Sequence, residues 1–288
     1  MARGLDHVAH AVRDLDAAAE RYAALGFRVG ARNRHPWGTH NRLVQFLGFF
    51  IELVTFAEPD KLGSDGFSRL FAAYNRDFAA AHEGLSMIIL ESRDAAGDAA
   101  AFERAAISAC PVMHFEREGK RPDGSAVKVG FSLAFAEDRS APEIHFATCQ
   151  QHYPENFWNP EFQRHENGAT GTAEAIVVSN QPSAHRDMLL AFTGAEESAG
   201  TKKAYSIALP RGRITMMTPN RFEAHYGVPA PEAGTGARVA ALRFDVADMN
   251  AMEARAEAAG VPVGRREGVL VAAPDSAFGA TLLFSRAG

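Results

Sequence analysis

Residues 4–29, GLDHVAHAVRDLDAAAERYAALGFRV, set out a short apolar strand, Asp14 placed to cap an alanine-rich helix, Gly26 to end it, and a second strand. Residues 239–263, VAALRFDVADMNAMEARAEAAGVPV, repeat that order, with Asp248, Gly260 and Val263 in the places of Asp14, Gly26 and Val29. Weaker copies begin at Gly84 and Ala173, so the chain reads as a fourfold internal repeat. Two or three β-rich runs follow each helix, from RLVQF and GFFIELVTF in the first copy to GVLVAAP and ATLLFSR in the last. Each copy is then a βαβββ unit. A single unit leaves one sheet face bare, so units must pair, and the predicted fold is α+β with four βαβββ units in two paired domains. The expected division lies in the polar stretch around His165 to Thr172. It gives a domain 1–168, holding units 1–56 and 84–150, and a domain 169–288. Phe67, Leu70, Phe71, Tyr74 and Phe78 recur at helical spacing within an insertion at 61–83, which predicts an amphipathic helix packed on the core between the first two units.

At 288 residues each half can bury a core without disulfides. Cys110 and Cys149 have no C-x-x-C partner, which disfavours a disulfide scaffold or a zinc knuckle. The net charge of -5 comes from 30 basic and 35 acidic residues mixed along the chain, with no basic stripe, so nucleic acid is not an expected partner. The apolar runs 47–54 and 268–273 are too short to span a bilayer. No apolar signal core precedes the first strand, so the expected location is cytoplasmic. P-loop, dinucleotide-binding and G-x-S-x-G signatures are absent.

Tandem units opening on L-D-H-V and D-L-D-A-A, followed by the turn H-P-W-G-T-H-N-R and a strand ending I-E-L-V, resemble the glyoxalase-like part of the vicinal oxygen chelate superfamily. His7, Asp14, Gly26, His35, Gly38, Thr39, Asn41 and Glu52 carry the match. It is close over 4–56, looser through the R-P-D-G at 121–124, and architectural in the C-terminal units. The resemblance implies two glyoxalase-like domains, each a cupped mixed sheet with helices outside. It also implies one divalent metal held by the first and last strands of each unit. His7 and Glu52 fall at such positions in unit one, whereas unit two offers Met87, a poor ligand for a hard ion, on its first strand. Its last strand offers either His145 or Cys149, which lie four apart on one sheet face. The set His7, Glu52 and His145 would suit iron(II), manganese, nickel or zinc. The matching C-terminal positions read Ala173, Thr215, Ala241 and Leu283, with no ligand set. The four-unit dioxygenases of the superfamily keep their iron in that pair, so this chain departs from them there.

Glu52 lies in the run Phe49 to Val54, where a buried carboxylate costs several kcal/mol unless a cation or donors face it. The turn residues His35, Thr39 and Asn41, with His152 from the aromatic stretch Gln150 to Trp158, are the expected substrate contacts. Phe157, Trp158 and Phe162 are expected to anchor the linker or to wall the cup, and His10 faces away from it. The leading expectation is a metal-dependent lyase or isomerase acting beside a carbonyl of a small oxygen-rich substrate. Glu52, His145 or His152 would serve as the base. A non-haem iron(II) dioxygenase and a non-catalytic binding or resistance protein are the alternatives. The expected assembly is a monomer or homodimer.

Overall fold

A computed structural model describes residues 1–120, 124–234 and 236–286. Arg121, Pro122 and Asp123 of the R-P-D-G motif lie outside the described residues, as does the side chain of Ala173. Unit one comprises β1 (Leu5–Ala11), α1 (Leu15–Ala24), β2 (Asn33–Arg34), β3 (Thr39–Phe46) and β4 (Phe49–Phe56). A π-helical turn, Ser68–Ala73, then runs into α2 (Tyr74–Ala81). Unit two comprises β5 (Gly84–Ser92), α3 (Ala95–Arg104), β6 (Met113–Lys120), β7 (Ala126–Ala136) and β8 (His145–Gln151), and α4 (Pro154–Phe157) follows. Unit three is β9 (Ala169–Ser179), α5 (Arg186–Thr193), β10 (Ala199–Gly200), β11 (Ala204–Ala208) and β12 (Arg213–Met217), and α6 (Pro219–Tyr226) follows it. Unit four is β13 (Ala237–Val246), α7 (Met249–Ala258), β14 (Val263–Arg266), β15 (Val269–Ala272) and β16 (Thr281–Arg286).

Capping aspartates define the repeat in space as they do in sequence. Asp14 accepts from the amides of Asp16 and Ala17, Asp248 from those of Asn250 and Ala251, and Asp94 from that of Gly97. Each satisfies amides that the first helical turn leaves without partners. In all four units the first strand runs parallel to the last, β1 with β4, β5 with β8, β9 with β12 and β13 with β16, as a helical crossover requires. Antiparallel pairing of first strands joins unit one to unit two through β1 and β5, and unit three to unit four through β9 and β13. The architecture is the α+β arrangement of paired units read from the sequence.

One further pairing, Val239 with Leu85 between β13 and β5, makes the two halves a single continuous sheet. The outer helices pack on one face of that sheet, where Val8, Tyr22, Phe102, Phe192, Phe244 and Phe284 are fully buried. The other face of each half curls into a cup. The C-terminal cup is filled by Ile176, Val178, Met217 and Leu283 under Phe222 and Tyr226 of α6. At its mouth Glu174 accepts from Thr215 and pairs with Arg243 at 3.1 Å. No helix among the described residues is long and apolar enough to cross a membrane.

Over the N-terminal cup lies the insertion. Its helix, Ser68–Ala73 running into Tyr74–Ala81, forms within the 61–83 insertion where the apolar spacing predicts one, after a short 3-10 turn at Pro59–Lys61. Phe67, Phe71 and Phe78 are buried against Trp37, Met87 and Ile89.

Candidate active site

The turn between β2 and β3 needs a glycine at 38. There φ is +89°, and a Cβ would stand 2.3 Å from the carbonyl oxygen of Glu58. The turn brings His35 back beside β3, where its Nδ1 and Thr39 Oγ1 share a hydrogen bond of 2.8 Å. His35 stacks on Trp37 at 4.8 Å, and Trp37 on Phe67 at 4.4 Å, a three-ring stack that closes one wall of the cup. Thr39 is fully buried and orients His35 from behind. Asn41 and Leu43 follow at strand spacing on the cup face, and the register sets Leu43 opposite Glu52 and Asn41 opposite Val54.

Glu52 is 4% exposed at the centre of a cavity of about 70 Å3, which has His7, His35, Asn41 and Arg117 among its polar walls. That is about half the volume of the engineered cavity, roughly 150 Å3, that holds benzene. Asn41 Nδ2 donates to Glu52 Oε1 at 2.6 Å. Burial raises the Glu52 carboxyl above its ordinary range, and the nearby His7 and the Asn41 bond offset this only in part. His7 stacks on Phe50 at 4.2 Å, and its Nδ1 donates to Asp6 Oδ1 at 2.6 Å. Asp6 is itself held by Gln151 Nε2 at 3.1 Å. These bonds leave His7 Nε2 turned to Glu52 Oε2, 4.0 Å away. His35 Nε2 lies 3.9 Å from the other oxygen, Oε1. Burial, with Arg117 and His40 near, pushes the His35 pKa down to about 3, so its ring is neutral at physiological pH.

Several walls were not assigned from the sequence. Phe67 and Phe71, read there as core packing, line the cavity together with Trp37, Phe115 and Phe131; Phe157, of the stretch expected to anchor the linker or wall the cup, lines it too. Arg117 on β6 is the other. Its guanidinium is partly desolvated, which lowers its pKa, and Glu52 is the charged group that opposes this. Its Nε finds no partner among the described residues, and neither does Trp37 Nε1 or Asn41 Oδ1. An isolated arginine in a strand ahead of a polar turn carries no sequence signal that sets it apart. Only the register of β6 with β7, Phe115 with Phe131 and Arg117 with Val129, turns it onto the cup face.

Three predicted residues do not line the cavity: Thr39, an expected substrate contact, lies behind His35, and His145 and His152 sit elsewhere. His145 pairs with Met87 in register at the far end of β8, where its Nδ1 donates to the Leu70 carbonyl at 2.9 Å and its ring stacks on Tyr74 at 3.4 Å. It is absent from the cavity wall, so it joins neither a ligand set nor the acid–base groups there. The physical reason is the lid: the helical insertion covers that end of the cup and takes the imidazole as packing. His152 bonds Ser132 Oγ at 2.8 Å beside His114 and is likewise outside the cavity. Cys149 does line the cavity, but burial, with Asp6 and Glu52 near, pushes its thiol well above the ordinary range. A thiol so shifted is not activated for nucleophilic attack, and its sulfur is a soft donor that suits a hard ion poorly. Arg32 and Arg42 fork onto Asp16 of α1, outside the cavity.

The donor set does not fit a divalent ion of the superfamily type. His7 and His35 address different oxygens of Glu52, unit two contributes Met87 and a neutral Cys149, and a guanidinium already faces the carboxylate. Among the described residues no group of three or more His, Cys, Asp or Glu side chains is arranged to hold a metal. What the site holds instead is a buried carboxyl with one tethered and one freer oxygen, two oriented imidazoles and unpaired hydrogen-bond donors, inside aromatic walls.

Comparison with known proteins places this geometry. No curated protein matches the sequence. Among solved structures, a hypothetical protein from Staphylococcus aureus is similar over the whole of both chains, with a TM-score of 0.69 at 14% identity. A mutant of 4-hydroxymandelate synthase from Streptomyces coelicolor is similar over all of this chain and 94% of its own, with a TM-score of 0.53 at 12% identity. A xylose isomerase-like TIM barrel/4-hydroxyphenylpyruvate dioxygenase fusion protein is similar over all of this chain and 50% of its own, with a TM-score of 0.51 at 16% identity. These likenesses, all at low identity, concern the fold. The glyoxalase-like domain family matches residues 5–193, which take in both units of the N-terminal cup and the start of unit three, and the chain belongs to that family.

Proposed function

We propose that this chain is an enzyme that moves a proton at a carbon beside a carbonyl of a small substrate, with Glu52 as the base. The observation that carries the reading is Glu52 itself. Burial lifts its carboxyl toward the range of an effective general base, and Asn41 fixes one oxygen so that the other is aimed into the cavity. In the proposed step the substrate C–H breaks, its proton goes to Glu52, and the electron pair moves onto the carbonyl oxygen as an enolate. The negative charge passes from Glu52 to the enolate, so the cavity that Arg117 lines holds the same net charge before and after the step. His7 Nε2, its tautomer set by Asp6, faces the cavity as a second proton carrier. Return of the proton to a different carbon completes an isomerisation without any other reagent.

This is the lyase or isomerase class expected from the sequence, with the ion left out because the donors present do not suit one. The test is deuterium uptake from heavy water into a panel of small ketones, hydroxyketones and aldehydes, followed by proton NMR with and without chelator. The parent is expected to exchange at least one compound regardless of chelator. Glu52→Gln, folded, is expected to lose that exchange by about 100-fold or more. Equal exchange by Glu52→Gln, or none by the parent, overturns the reading.

A further inference from the structure

Arg117 stands at a neck. With Leu43 and Phe157 it lines both the cavity around Glu52 and an outer groove of about 480 Å3 between β6, β7 and the segment 155–162. A half-buried guanidinium in such a place normally meets a carboxylate through two parallel hydrogen bonds. Here its hydrogen bond is a long one of 3.4 Å from Nη1 to the carbonyl of the adjacent Glu118, and Nε has no partner among the described residues. Trp37 Nε1, a second buried donor on the same cavity, is also unpartnered. Glu52 is the charged group that opposes the desolvation of Arg117, yet no carboxylate pairs with the guanidinium among the described residues. Two buried donors left open on one cavity wall, one of them on a cation, are the complement of an anion.

We propose that the substrate is an organic anion whose acid group is held by Arg117 at this neck, while its uncharged reacting end lies inside beside Glu52. The inference rests on the reading of Glu52 as the base, and it adds the charge of the substrate and the residue that recognises it. The outer groove is the approach, and Arg117 stands where groove and cavity meet.

Binding of butanoate against butanamide, two probes of nearly one shape and different charge, tests this. The indole N–H resonance of Trp37, told from that of Trp158 by Trp37→Phe, reports occupancy at the cavity wall. The parent is expected to bind butanoate at least about tenfold tighter than butanamide, a ratio within reach of one charge-assisted pair. Arg117→Gln is expected to bring the two within about twofold of each other while leaving the amide affinity in place. Should Arg117→Gln fail to fold, Arg117→Lys, which keeps the charge and loses the fork, is expected to retain the preference at reduced strength. Glu52→Gln separates the two proposals: it should abolish exchange yet bind butanoate as well as or better than the parent, since a repelling carboxylate is gone. Equal affinity for acid and amide in the parent, a preference that survives Arg117→Gln, or no response at Trp37 overturns the inference whatever the exchange experiment gives.

Discussion

Glu52 is held in the fold against its own preference. In the unfolded chain its carboxyl ionises near 4.5, and in the folded chain only at a higher pH, because burial disfavours the charge. The folded state therefore gains from the neutral acid at low pH, and that gain is lost as pH climbs through the raised folded value. Glu52→Gln removes the loss, so the variant should be more stable than the parent in urea at pH 8, with a smaller advantage at pH 5. An equal advantage at both would contradict the raised carboxyl. His7 and Glu52 were legible through the family resemblance, and His35 and Asn41 through the donor-rich turn ahead of β3; strand register then brings all four to one cavity. His145 was misplaced because alternation gives the face of a strand and not the position along it: four residues from Cys149, it is about 13 Å away at strand rise. At that distance a different element covers it.

At the scale of elements, the insertion shows how a correct pattern can hide a role. The recurrence of Phe67, Phe71 and Phe78 predicts a packed amphipathic helix, and a helix does form, Ser68–Ala73 and Tyr74–Ala81, with all three buried. Nothing in the spacing says that what it packs on is the open face of a cup, since the cup is made by strands of two repeats that reach from Leu5 in β1 to Gln151 in β8. Phe71 meets His35 edge-on at 5.6 Å and Trp37 at 6.0 Å, so it is at once core and cavity wall. Phe71→Ala is expected to cost about 3 kcal/mol in denaturant unfolding and to enlarge the cavity. A cost under about 1 kcal/mol would mean that the lid is not packed as described. The aspartate caps were readable outright, because an N-cap is satisfied by atoms two or three residues away and owes nothing to tertiary structure.

Across the whole molecule, the repeat fixes the sheet order almost by itself, since right-handed crossovers leave few ways to pair four βαβββ units. Beyond the reach of the repeat is the junction of the halves, where His10 meets Tyr22 and the carbonyl of Phe278 from unit four. Burial lowers the His10 pKa to about 4, as it lowers that of His35 to about 3. Both rings are neutral in the folded protein and would protonate near 6.5 once unfolded. Their stabilising effect is complete above pH 6.5 and lost as pH falls toward 4. The unfolding free energy should therefore drop between pH 6.5 and 5 by on the order of 1 kcal/mol for each ring. His10→Asn should flatten that slope by about one proton, and an unchanged slope would show that His10 is not a neutral partner at the junction.

The two repeats of the N-terminal cup contribute different things. Every acid–base group at the cavity comes from unit one, while unit two supplies Phe115, Arg117, Phe131, Leu133 and Cys149. If Glu52 is the base, chemistry and recognition are encoded in separate stretches of the gene, which meet where β1 pairs with β5 and where Gln151 holds Asp6. Mutation can remodel β6 and β7, and with them the molecules admitted, without disturbing the groups that react, so a lineage built on this plan can change its diet while keeping its teeth.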